Sequence, residues 1–168
     1  MNKMINFQTI QHEARVFEDG NVPSVQELMA LHFILPLSAD YPCIGNWFLT
    51  KVVPGLRDGS RKLITHERHG QLVALGIGKM DADEKKVCTV RVSPEYFGRG
   101  LGIRVFDELM SWMGTDMPHA TVSQAKLPDF ERIFERYGYQ LTSTSKGRYL
   151  PGKVEYMFNE PQSLLSTR

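Results

Sequence analysis

Cysteine is scarce: Cys43 and Cys88 are the only two in 168 residues. A disulfide framework or a thiolate metal site needs more cysteines or tighter spacing. Both are therefore expected as reduced core residues of a cytoplasmic protein. Unbalanced charge is missing too. Twenty Lys and Arg stand against nineteen Asp and Glu, a formal net charge of +1. A general nucleic-acid-binding surface would carry a large basic excess, so only a local basic patch stays open. No apolar run approaches the ~18 residues of a membrane span. The opening MNKMINFQTIQHEARVF places polar residues where a secretory leader needs an unbroken apolar core. Repeats, low-complexity tracts and interdomain linkers are not evident.

What is present suits one domain over residues 1–160, with 161–168 as a frayed tail. Apolar residues make up 42% and charged residues 23%, ordinary values for a chain long enough to bury a core. After a lead-in, Glu13–Phe17 reads as a short strand. Ser24 and Glu27 form an S-x-x-E capping box ahead of Val25, Leu28, Met29 and His32 at helical spacing, and Pro36 stops that helix. Residues 36–60 are broken by prolines and glycines and are expected to be irregular, with a short helix at Asn46–Val53 or a lid.

Lys62–Glu67 and Leu72–Met80 read as strands joined at ERHGQ, a hairpin signal. His66 and His69 straddle that turn with no third ligand nearby, so surface histidines are expected and no metal. Asp81–Glu84 is a second polar turn. It leads into a third strand, Lys86–Val92, with Cys88, Val90 and Val92 on one face. Ile103, Phe106, Leu109, Met110 and Met113 form a helical stripe ended by Gly114. Ala120–Lys126 is a further strand, reached through a helix and so expected parallel to Lys86–Val92. Phe130, Ile133, Phe134 and Tyr137 line another helix, capped by Gly138. Leu141–Ser145 and Val154–Phe158 close the chain as an antiparallel pair.

The chemistry lies where the third strand meets the first long helix, in VRVSPEYFGRGLGIR. Glycines at 98, 100 and 102 fail the G-x-G-x-x-G dinucleotide fingerprint. Ile103-Arg104 fails the Lys-Ser/Thr pair of the Walker phosphate loop. Anion binding survives both failures. Backbone N–H groups of Arg99 to Ile103 can converge on a diphosphate at a helix N-terminus, with Arg99 and Arg104 beside it.

This segment resembles the acetyl-CoA-binding motif Q/R-x-x-G-x-G/A of the GCN5-related N-acetyltransferase (GNAT) family. Gly100 and Gly102 match its two small positions, and Phe97 stands where Gln or Arg is usual. F-E-R-I-F-E-R-Y-G-Y resembles the family's late helix, and the order of elements agrees. The resemblance covers roughly Lys62 to Phe158.

It implies an α/β (α+β) fold with a mixed, mostly antiparallel central sheet, helices on both faces, and a parallel pair splayed around the cofactor. It also implies direct transfer of an acetyl group from acetyl-CoA, as co-substrate, to a small amine, an amino acid or a protein amine. By that analogy Val90, Arg91 and Val92 bond the pantetheine and thioester through their backbone. Gly98, Arg99, Gly100, Leu101, Gly102 and Ile103 hold the pyrophosphate. Ser123 borders the gap, and Phe134 packs the arm. The family's usual base position falls on Lys86, which cannot serve when charged, so Glu84 is the candidate base. The usual acid, a tyrosine, is replaced by Phe134, which leaves Tyr137 as the candidate acid. Tyr41, Trp47, Arg148 and Tyr149 are expected on the acceptor surface. The resemblance also allows a homodimer. The missing usual base and acid motivate a second reading, a non-catalytic acyl-CoA-binding regulatory module.

Overall fold

The computed structural model describes residues 21–161. The strand expected at Glu13–Phe17 and the tail beyond Pro161 lie outside the described residues.

Helix α1 (Val25–Ile34) starts at the expected capping box: Glu27 N–H donates to Ser24 Oγ at 3.2 Å, and Ser24 N–H donates to Glu27 Oε2 at 2.8 Å. Glu27 also receives both Arg57 nitrogens, at 2.5 and 2.7 Å. That bidentate pair clamps α1 to a later helix and holds the Glu27 carboxyl below its ordinary range. The residues at helical spacing face out. Val25, Leu28 and Met29 are exposed, and the buried residues are Glu27, Ala30 and Ile34. VQELMALHFI is apolar on nearly every side, so its periodicity could not select the inner face.

The stretch expected to be irregular is mostly helical. A 3-10 turn covers Leu35–Ala39, then α2 (Ile44–Trp47), a π turn (Phe48–Val52) and α3 (Val53–Asp58) run on without a break. Pro54 brings no N–H and crowds the carbonyl one turn back. The helix widens just before it, closed by Val53 N–H to Phe48 O. The short helix expected at Asn46–Val53 is thus part of a longer helical run. Cys43, expected in the core, is exposed at the start of α2; both cysteines are free thiols.

Six strands follow the expected order: β1 (Arg61–Arg68), β2 (Gln71–Met80), β3 (Lys85–Val92), β4 (His119–Ser123), β5 (Leu141–Lys146) and β6 (Val154–Phe158). They form one sheet in the order β1-β2-β3-β4-β6-β5, antiparallel except for β3 against β4. His69 and Gly70, at φ 52° and 74°, make the two-residue turn between β1 and β2. Strand β4 stops at Ser123, three residues before the expected end at Lys126, because Lys126 N–H turns back to Ser123 O. Helix α4 (Leu101–Met113) and helix α5 (Leu127–Tyr137) cover one face of the sheet; α1, α2 and α3 cover the other.

The β2–β3 register pairs Ile77 with Thr89 and Gly78 with Val87, so Cys88 is an extra residue, a β-bulge. The bulge breaks the expected alternation. Cys88 packs toward α1–α3, while Val90 and Val92 pack toward α4 and α5.

Gly76 of β2 lies against α4. A Cβ built there would sit 2.3 Å from Val105 Cγ1 and 3.1 Å from Leu109 Cδ1. Gly76→Ala should therefore lower stability by about 1–3 kcal/mol, through a displaced Val105 and a shifted helix. Urea unfolding checks this, and an unchanged midpoint contradicts the close approach.

Candidate active site

Strands β3 and β4 are parallel neighbours, yet only Lys86↔His119 and Val87↔Ala120 pair. Beyond them β3 runs on to Val92 and β4 to Ser123 with no further pairs among the described residues. The strands part at the Cys88 bulge, which adds twist to β3 just past the last pair. This leaves the β4-facing backbone edge of Val90, Arg91 and Val92 open. Ser123 ends the opposite wall.

The chain leaves the open end of β3 through Pro94–Tyr96 and enters α4 at a turn where Gly98 and Gly100 have φ of 74° and 77°. Only glycine adopts that conformation without strain. Gly100 is the N-cap of α4 and offers no side-chain oxygen. The first helical bond is Arg104 N–H to Gly100 O, which leaves the N–H groups of Leu101, Gly102 and Ile103 without helical partners. The Arg99 guanidinium lies over the Tyr96 ring, 5.1 Å from its centroid. The turn thus gathers free donors and positive charge at one end of the gap.

The α1–α3 side of the gap is polar. Ser123 of β4 pairs in register with Glu155 of β6. The two line a cleft of about 310 Å³ together with Asp40, Gln124, Lys153 and others. Tyr41 lies beside Ser123 and Glu155. Burial and the Glu155 charge push the Tyr41 hydroxyl up to about 12. Its ring meets Tyr149 edge-on at 5.1 Å. A larger depression of about 480 Å³ lies elsewhere, between α1, α3 and β1 around the Glu27–Arg57 pair, and holds none of the residues of the gap.

Val90, Arg91 and Val92 lie on the open edge of β3, the segment 98–103 follows at the start of α4, and Ser123 ends β4. Of the residues expected on the acceptor surface, Tyr41 and Tyr149 touch, and the Arg148 charge acts on Glu155. Trp47 instead packs into the α1–α3 cluster with Arg61 over its ring. Three other expected site residues have contacts elsewhere. Phe134 is buried among Phe106, Phe130, Tyr139 and Phe158, where it fills core rather than the gap. Tyr137 donates its hydroxyl to Asp107 of α4. Glu84 does not extend the strand. It ends the turn before β3, bonded to His119 Nδ1 at 2.5 Å and Lys79 Nζ at 3.1 Å, at the closed end of the pair. The His119 bond, outweighing burial, lowers its carboxyl to about 2. A carboxylate held so low is a poor proton acceptor.

Asp40 and Glu155 were not singled out by sequence. In VEYMF the glutamate alternates with Val154, Tyr156 and Phe158, the pattern of a solvent-facing strand position. Here that second face is covered by the α1–α3 layer.

Neither a family model nor a curated protein matches the sequence. Solved structures do match. An acetyltransferase of the GNAT family from Desulfovibrio desulfuricans superposes with a TM-score of 0.64 at 16% identity, covering 82% of this chain and 92% of that one. A GNAT-family acetyltransferase from Streptococcus pneumoniae gives 0.56 at 12% identity, covering 79% and 90%. The paia N-acetyltransferase of Thermoplasma acidophilum, in complex with coenzyme A, gives 0.55 at 12% identity, covering 77% and 91%. The chain has the fold of the GCN5-related N-acetyltransferases.

The Glu84 cluster predicts a pH dependence. A carboxyl whose folded value is about 2 against an ordinary 4.5 stabilises the fold above pH 4.5, and that contribution is lost as pH falls toward 2. Glu84→Gln should be less stable than wild type at neutral pH, and the gap should close with acid. Urea midpoints across pH check it; parallel curves contradict it.

Proposed function

We propose that this chain is an acetyl-CoA-dependent N-acetyltransferase that moves the acetyl group directly to an amine. The observation that supports this most is the open β3–β4 pair feeding an uncapped helix N-terminus. An unpaired strand edge can bond an extended arm containing amides as it would bond another strand. Val90, Arg91 and Val92 offer that edge. The free N–H groups of Leu101, Gly102 and Ile103, with Gly98, Arg99 and Gly100, suit a pyrophosphate. Ser123 borders the arm from β4. The coenzyme A bound to a protein of the same fold supports this choice of ligand.

Acetyl-CoA supplies an activated acyl carbon as a thioester. The protein holds that carbon beside the acceptor, and proximity accounts for much of the acceleration. Fixed backbone donors at the end of β3 steady the charge that develops on the carbonyl oxygen. The acceptor enters from the α1–α3 side, past Asp40, Tyr41 and Tyr149. The departing thiolate takes its proton from solvent, since the Tyr137 hydroxyl is committed to Asp107. The second reading, an acyl-CoA-binding module without turnover, draws on the Glu84 and Tyr137 contacts, which occupy both groups elsewhere.

Calorimetry should show acetyl-CoA binding to the wild type. Gly100→Glu, which puts a carboxylate and a strained φ into the turn, should weaken it at least about tenfold with the circular dichroism spectrum unchanged. No binding to the wild type rejects the proposal. Thiol release that depends on an added amine rejects the module reading. Tyr137→Phe should keep kcat within about twofold of wild type, against the loss of about 10²-fold or more expected on removing a general acid.

A further inference from the structure

The buried polar atoms on the α1–α3 face without a hydrogen-bond partner among the described residues include Thr121 Oγ1, Ser123 Oγ and Glu155 Oε2. Ser123 and Glu155 are 5% and 2% exposed. They are register partners on β4 and β6, and both line the cleft with Asp40 and Lys153. Glu155 takes part in none of the ion pairs found among the described residues. A covered carboxylate with one oxygen unbonded and in no ion pair is unfavourable. A cationic ligand entering the cleft supplies the missing partner.

We propose that Glu155, with Ser123 beside it and Asp40 at the rim of the cleft, receives the primary ammonium of the acceptor and takes its proton. The acceptor class is then an alkylamine, a cation in solution. For its second substrate this rests on the acetyl-transfer reading above. The step balances as follows. The ammonium gives one proton to Glu155 Oε2 and becomes a neutral amine. Its lone pair forms the C–N bond to the thioester carbon, and the C–S bond breaks with its pair on sulfur. The new amide nitrogen sheds its second proton, the thiolate takes up one, and Glu155 returns its proton to water.

The surroundings suit a proton acceptor. Burial raises the Glu155 carboxyl above its ordinary value, and the Asp40 charge adds to this. The Arg148 charge, a hydrogen bond from the Tyr41 hydroxyl and the Lys86 charge pull it back down, and Lys153 also lines the cleft. A carboxylate shifted upward takes a proton more readily near neutral pH than an ordinary one. An arylamine reaches the site already neutral and needs no such acceptor.

The test uses n-butylammonium and aniline as probes. In NMR titrations of the wild type, n-butylammonium should shift the Glu155 side-chain carboxyl resonance; no shift overturns the proposal and needs no variant. Glu155→Gln should bind n-butylammonium at least about tenfold more weakly. With acetyl-CoA present, that variant should lose about 10²-fold or more in kcat/KM for n-butylamine, together with the acid limb of the pH profile. Acetylation of aniline, which arrives neutral, should fall by a much smaller factor than that of n-butylamine. Equal losses for both amines mean a structural role and overturn the proposal, as does unchanged n-butylammonium binding. A wild type that binds n-butylammonium at Glu155 but neither binds nor consumes acetyl-CoA rejects the acetyl-transfer reading and leaves the ammonium site standing.

Discussion

Two residue pairs hold β3 to β4, and nearly everything functional depends on their number. Lys86↔His119 and Val87↔Ala120 join the halves of the sheet at one end, and the Cys88 bulge turns β3 away immediately after. Were the strands paired along their length, Val90 to Val92 would have no free backbone edge. The His119–Glu84–Lys79 cluster sits at the joined end, where it ties the turn before β3 to the start of β4. It is structural in position, and its low carboxyl value follows from that bonding.

The two faces of the open pair divide the work. Toward α4 and α5, Val90, Val92, Val105, Phe106 and Phe134 make an apolar core that fixes the glycine turn to the end of β3. Toward α1–α3, Thr121, Ser123 and Glu155 make a polar wall. A layer of helices over a polar strand face is costly unless something polar fills it. The buried Glu155 is thus a stronger pointer to a ligand than the exposed Tyr149 or the surface arginines. On the reading proposed above, the group is completed when a ligand binds.

Side-chain roles carried over by motif ask more of the sequence than backbone roles do. A backbone cradle needs only small residues and a helix start, which Gly98 to Ile103 supply whatever stands at Phe97. A proton acceptor needs one side chain at one point. Lys86 occupies the place where the resemblance puts a base, and Phe134 the place of the acid. On the proposed reading, proton transfer is arranged from other strands. Glu155 reaches the cleft from β6, about 70 residues further along the chain than Lys86.

Sequence by itself determined what local rules govern. The capping box at Ser24 and Glu27, the His69-Gly70 hairpin, the amphipathic stripes of α4 and α5 and the glycine turn are fixed by residues close in the chain. The strand order was legible because each turn was marked. Tertiary structure decided the rest. It chose the buried side of an α1 that is apolar all round. It made helix of the proline-broken stretch before β1 by packing Phe48, Val52 and Val53 against Leu75 and Ile77. It placed a bulge at Cys88 that no local signal marks. It also turned Glu155, by alternation a solvent residue, into a buried carboxylate by laying α1–α3 over that face. Periodicity reports that a strand has two faces; only packing between distant segments decides what covers the second.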